Sequence, residues 1–149
     1  MISAEGNQLQ VLTHGEIKNP VQVLPSRCLV KIGDTLRALL VQYQPEVVAI
    51  EGLVYVQNTR IAFTLGEVRG VVIAAAAAHG LEIYEYPPRK VKLAVTGQGG
   101  AGKNQVANMV KALLGLSIKP GQDESDALAI AICHAQSYRG VVVQARKPI

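Results

Sequence analysis

Val47-Val-Ala-Ile-Glu51 is a continuous apolar run that follows Pro45 and ends on a carboxylate. A short run of this kind after a proline reads as a strand buried on both faces, as in a sheet covered by helices. Glu51 then stands at the carboxyl end of the strand, the edge of an α/β sheet where ligands collect. An acid placed directly after a fully apolar strand has to be solvated or paired. Upstream, Leu29, Ile32, Leu36, Leu39, Leu40 and Tyr43 recur at helical spacing and predict a helix opened by Pro25-Ser26, with Ser26 as its N-cap. Gln8 to His14 alternates polar and apolar residues, as a half-buried antiparallel strand does. Glu16 to Val23 is a second candidate strand, which Pro20 confines to an edge or an end. Downstream, Arg60 to His79 reads as a long helix closed by Gly80. Its alanine run, Gly66 and Gly70 give it a smooth surface that another helix can approach closely. Leu81 to Tyr86 predicts a further strand, ended by Pro87-Pro88, and three helices follow: Arg89 to Val95, Asn104 to Leu114, and Asp123 to about Tyr138. Strands and helices in this order make one layered α/β domain over residues 1–138, with 139–149 as a flexible tail.

Composition agrees with a single globular unit. The chain has 149 residues, 49% hydrophobic and 17% charged, which is enough for one core and excludes a disordered protein. The longest strictly apolar run, Val71 to Ala78, is far shorter than the roughly 20 residues that span a bilayer, so no membrane partner is expected. The first residues, Met-Ile-Ser-Ala-Glu-Gly-Asn-Gln, show neither the basic nor the apolar region of a secretion signal. Cys28 and Cys133 lie far apart in apolar surroundings and form no metal-ligand pair. A reduced, cytoplasmic protein is the expectation. The net charge of +4 permits a nucleic-acid partner without requiring one.

Three constellations carry chemistry. Asp123 and Asp126 stand three residues apart at the start of an apolar helix, so they share a face where the helix dipole favours negative charge. Taken alone, they are an N-cap and a first-turn acid. Converging with Glu51 on one sheet edge, they are the oxygen ligands that hard divalent metals take. Gly97 to Asn104 (GQGGAGKN) matches a Walker A loop except that Asn104 replaces its Ser or Thr. The preceding Arg89 to Val95 reads as a helix where a P-loop needs a strand, so a flexible glycine loop facing a phosphate backbone fits better. Arg89, Lys90, Lys92, Lys103 and Lys111 cluster after Tyr84 and Tyr86, which is either a phosphate-positioning patch or a solvated face.

Taken together, Ala49-Ile-Glu51 with Asn58 and Leu65-Gly-Glu-Val-Arg-Gly70, Glu85-Tyr-Pro-Pro-Arg-Lys-Val-Lys92, Val95-Thr-Gly97 to Lys103 with Gln105-Val106, and Asp123-Glu-Ser-Asp126-Ala-Leu-Ala with His134 resemble the RuvC family of Holliday-junction resolvases. The resemblance runs from about Gly6 to His134. It implies a ribonuclease-H-like fold with a mixed central sheet flanked by helices. It also implies a homodimer, magnesium-dependent (or manganese-dependent) nicking of a four-way DNA junction, and work beside the RuvA–RuvB branch-migration complex in recombination and repair. Glu51, Asp123 and Asp126 match the family's second, third and fourth acidic positions. Lys92 and Lys103 match its two lysines near the scissile phosphate, and the helix from Arg60 to His79 matches its dimer-forming helix. Arg89, Asn58 and Tyr55 are the further DNA-binding candidates.

The chain departs from the family at two places. Relatives begin with a central strand carrying Gly-x-Asp-Pro-Gly, whose aspartate is the first metal ligand, and no residue here takes that role. The expectation is a sequence shortened at its start by an internal Met or a cut, with a nuclease-dead relative as the rival. Val54 stands where relatives carry an aromatic that stacks on junction bases, and Tyr55 beside it is the substitute. The function expected is a junction-resolving endonuclease. The alternatives are a protein that binds branched DNA without cutting it and, more remotely, a P-loop nucleotide binder.

Overall fold

The computed structural model describes residues 1–52, 57–138 and 148–149. Val54 and Tyr55, and residues 139–147 of the expected tail, lie outside the described residues. Nine elements follow one another: β1 (Ile2–Glu5), β2 (Gln8–Val11), α1 (Pro25–Tyr43), β3 (Val47–Glu51), α2 (Thr59–Ala78), β4 (Glu82–Tyr86), α3 (Pro88–Thr96), α4 (Lys103–Leu113) and α5 (Gln122–Tyr138). They divide into two compact units. The first holds the described residues of Met1–Glu16, Ala49–Leu53 and Tyr84–Ile149, the second those of Ile17–Val48 and Val54–Ile83.

In the first unit, β1 and β2 form an antiparallel hairpin in which Ile2 faces Val11 and Glu5 faces Gln8. Its turn uses Gly6 at a φ of 52°, a conformation that costs a side-chain-bearing residue. The strand expected to run to His14 stops at Val11. The Met1 amine instead donates to the Thr13 carbonyl at 2.6 Å, and Leu12 N–H donates to Met1 O at 3.1 Å. His14 Nδ1 then meets Glu124 Oε1 at 3.1 Å, while Glu124 Oε2 accepts from Gly121 N–H at 2.8 Å, which ties the exit of the hairpin to the start of α5.

Helices α3, α4 and α5 pack on one another and form the core of this unit. Tyr86, Val110, Leu128, Ile132 and Cys133 are fully buried there. The two serines on the buried side of α5 satisfy themselves: Ser125 Oγ donates to Gly121 O at 2.7 Å and Ser137 Oγ to Cys133 O at 2.8 Å. Gly97 closes α3 with a φ of 73°. The glycine segment after it is folded on itself, with Thr96 Oγ1 donating to Lys92 O at 2.8 Å and accepting from Gln98 N–H at 3.1 Å.

The second unit is built on α1 against α2. Pro25 occupies the first turn of α1 and Leu24 is the N-cap without a side-chain bond. Ser26 therefore lies inside the helix, not at its cap, because the proline's fixed φ and missing N–H suit the first helical position. The close approach between α1 and α2 is made by Gly33, where a Cβ would lie 3.2 Å from Val71 Cγ1. Gly66 and Gly70 of α2 face open space. No strand forms over residues 16–23; Val23 N–H turns back to Pro20 O at 3.1 Å.

Two findings differ from the sequence expectation in form. The sheet is present as two separate two-stranded ladders, β1–β2 and β3–β4, among the described residues. And α2, although broken by Glu67 and Arg69, is long and apolar enough by length and composition to cross a bilayer, with a mean hydropathy of 1.6 over an 18-residue window that is 11% buried. A count of strictly apolar runs overlooks such a helix, because Glu67 and Arg69 interrupt the run while the average over the window stays apolar.

Candidate active site

Four elements of the first unit deliver charged side chains to one cleft. β3 ends on Glu51, and the next residue is tied to the end of β4, Gly52 N–H donating to Tyr86 O at 2.8 Å. Gly52 is buried, and a Cβ at that position would meet Glu85 Oε1 at 3.1 Å and Tyr86 O at 3.3 Å. Glycine is what allows the two strand ends to come so close. Pro87 and Pro88 then start α3 directly from the end of β4, which places Lys92 one turn into the helix. α4 starts at Lys103 behind Gly102, and α5 carries Asp126 in its second turn.

Glu51, Lys92, Lys103 and Asp126 line a cleft of ≈ 270 Å³ whose walls are the apolar side chains of Pro88, Val91, Val106, Ala129 and Ile130. Burial raises the Glu51 carboxyl above its ordinary value, the Asp126 carboxylate raises it further, and the Lys103 and Lys92 ammonium groups oppose both. Two carboxylates therefore repel each other across the cleft while two cations partly offset the repulsion.

The structure separates the other sequence candidates. Asp123 is exposed and is not among the residues lining the cleft. Among the described residues no group of three or more His, Cys, Asp or Glu side chains is placed to hold a metal ion, so two of the three expected carboxylates are brought together and the third is not. A carboxylate pair still fits a magnesium-like cation, which keeps several waters and takes one or two protein carboxylates along with substrate phosphate oxygens. Asn58 caps α2, its Oδ1 accepting from Ile61 N–H at 3.2 Å. Arg89 is exposed and packs along the glycine segment, its Cγ lying 2.9 Å from where a Gly99 Cβ would stand.

Tyr84 and Tyr86 are both buried, so neither offers a face to a base. They surround His134 with Tyr138. The ring centroids of Tyr84 and Tyr138 lie 4.8 and 5.7 Å from the imidazole, and the Tyr86 hydroxyl lies 2.9 Å from His134 Nδ1. Lys103 follows a helix and a turn, not a strand, which removes the context a P-loop requires. The apolar walls, Gly52 and the Tyr86–His134 pair escape sequence reading. Their one local signal is the small residue after an acidic strand end.

A carboxylate at a strand end facing a second one on a helix, flanked by lysines from two further helices, belongs with the ribonuclease-H-like α/β proteins, and the comparison with solved structures agrees. The fold matches a Thermus thermophilus RuvC structure with a TM-score of 0.84 at 31% identity, covering 99% of this chain and 90% of that one. It matches T. thermophilus RuvC in complex with a Holliday junction substrate with a TM-score of 0.89, covering 99% and 89%. Residues 1–134 match the family described as crossover junction endodeoxyribonuclease RuvC. The chain belongs to the RuvC family. Among curated relatives it is 45% identical over 146 residues to the RuvC of Marinobacter nauticus, covering 98% of this chain and 83% of that protein. It is 42% identical over 140 residues to that of Syntrophomonas wolfei, covering 93% and 81%.

Proposed function

We propose that this protein is a structure-specific endodeoxyribonuclease that resolves four-way DNA junctions by hydrolysing phosphodiester bonds. The observation that carries the reading is the single cleft in which Glu51 and Asp126 oppose Lys92 and Lys103. Glu51 and Asp126 would hold Mg2+ (or Mn2+), with Asp123, one turn earlier on the same helix, as a further oxygen donor. Bound there, the cation supplies an acidified water and charge stabilisation at the leaving oxygen. Lys103 and Lys92 neutralise the charge that develops on the phosphate. The apolar wall of Val91, Val106 and Ala129 limits bulk water, which strengthens each of these interactions. Arg89 adds a cation beside the glycine segment for the DNA backbone.

The occupant proposed for the exposed face of α2 is a second copy of the chain. Phe63 is 74% exposed, with Ile61 and Leu65 close to half exposed, and the open surfaces at Gly66 and Gly70 lie on the same helix. A two-fold dimer places two clefts on symmetric strands of one junction. The RuvA–RuvB branch-migration complex is proposed as the functional partner on family membership. Sedimentation of the wild-type chain is expected to show a dimer, and Phe63→Glu a monomer that no longer makes paired nicks. A wild-type monomer at micromolar concentration overturns the dimer.

The test of the activity is incubation with a synthetic four-way junction and Mg2+. The chain is tested beside a version extended upstream by a strand bearing the aspartate that no residue here supplies. Paired, symmetric nicks on strands of like polarity are expected from the extended version at least, with none on linear duplex and none after chelation of the metal. Tight junction binding without nicking would make the protein a junction-binding module instead.

A further inference from the structure

Tyr86 is wholly buried and touches three of the four elements that build the cleft. Its carbonyl accepts from the N–H of Gly52, the residue after Glu51, at 2.8 Å. Its chain continues through Pro87 directly into α3, which carries Lys92. Its hydroxyl lies 2.9 Å from His134 Nδ1 on α5, two turns beyond Asp126. His134 is itself clamped by Tyr84, Tyr86 and Tyr138, and Lys90 Nζ sits 5.2 Å above the Tyr86 ring.

We propose that the Tyr86–His134 hydrogen bond is a positioning strut that sets how far the Glu51 end of β3 stands from Asp126 on α5. Neither residue enters the cleft, and both act through the backbone they hold. Burial favours this role. It raises the Tyr86 phenol and lowers the His134 imidazole, so both are neutral near pH 7 and the bond is not lost to titration there. The inference rests on the cleft being the nuclease site.

Tyr86→Phe removes the hydroxyl and keeps the ring, and His134→Asn keeps a polar group near the Nδ1 position. Amide hydrogen exchange of the metal-free protein reads the strut without any activity. In Tyr86→Phe the Gly52 amide is expected to exchange about five- to tenfold faster, the scale of one net hydrogen bond, while the Val110 amide of α4 stays as in wild type. Junction nicking by the same variant is expected to need several-fold more Mg2+ for half its maximal rate, with junction binding within twofold of wild type. His134→Asn is expected to lie nearer wild type on both measures. Unchanged Gly52 exchange in Tyr86→Phe overturns the strut, and equal acceleration at Gly52 and Val110 shows general loosening in its place. Failure of both the wild-type chain and its upstream-extended version to nick any junction counts against the proposed activity, and the exchange data still decide the strut.

Discussion

Glu51→Gln is expected to lower junction nicking at least about a hundredfold while leaving junction binding intact or slightly tighter. The amide keeps the size of the side chain but removes the charge through which a divalent cation is held, and it removes a negative group facing the phosphates. The same substitution is expected to raise the melting temperature of the metal-free protein at neutral pH. The folded-state pKa of Glu51 lies above its ordinary 4.5, so the folded protein holds that proton more tightly than the unfolded chain. Stability from this group is present at low pH and declines as pH rises through the interval between the ordinary and the raised value. Above it, the folded protein carries an ionised carboxylate that unfolding would relieve. Exposure of the side chain and solvent screening keep that gain small. Lost nicking accompanied by a lower melting temperature would mean that Glu51 holds the fold and not the chemistry.

The second large effect is expected at Lys103. Lys103→Ala takes away the larger of the two cationic influences that counter Glu51, and it removes one of the two ammonium groups that neutralise phosphate charge in the proposed reaction. Nicking is expected to fall about a hundredfold, and the logarithmic salt dependence of junction binding to lose about one unit of slope. In the metal-free protein, the Glu51 carboxyl is expected to titrate higher still, which a carbon-detected NMR titration reads directly. Lys92→Ala moves the same titration in the same direction by less. A Glu51 titration unmoved by Lys103→Ala would show that the two groups do not share the cleft.

Local structure was legible from the chain wherever one face of an element is buried. The periodic leucines of α1, the apolar run of β3, the alternation of β4 and the Gly80 stop of α2 all lie within a residue or two of the observed elements. Errors fall where local pattern and long-range geometry compete. The alternation continues to His14 while the ladder with β1 ends at Val11, and Ser26 is a good cap by type but follows a proline that takes the first turn. At the site, Glu51 stood out because an acid directly after an apolar strand is costly unless it is solvated or paired, Asp126 by its three-residue spacing from Asp123, and Lys92 and Lys103 by the basic cluster and the family resemblance. Asp123 looked equivalent to Asp126 by spacing, yet it is exposed at the start of α5 while Asp126 faces the cleft. Tyr86 and His134 are 48 positions apart, and a bond across that separation leaves no periodic trace in either neighbourhood.

The division of the chain into units has a consequence for biosynthesis. The second unit is nearly continuous in sequence, interrupted by a few residues at the end of β3, whereas the first is drawn from three separated stretches. On a ribosome, α1 and α2 emerge together and can pack while the hairpin of β1 and β2 waits for partners. Leu128, Ile132 and Cys133, the centre of the first unit's core, and Asp126 of the cleft all arrive on α5. The cleft therefore cannot close around its carboxylate pair until α5 has left the exit tunnel. An interrupted product ending before residue 126 has half of the pair and lacks Leu128, Ile132 and Cys133 at the centre of the core that holds it.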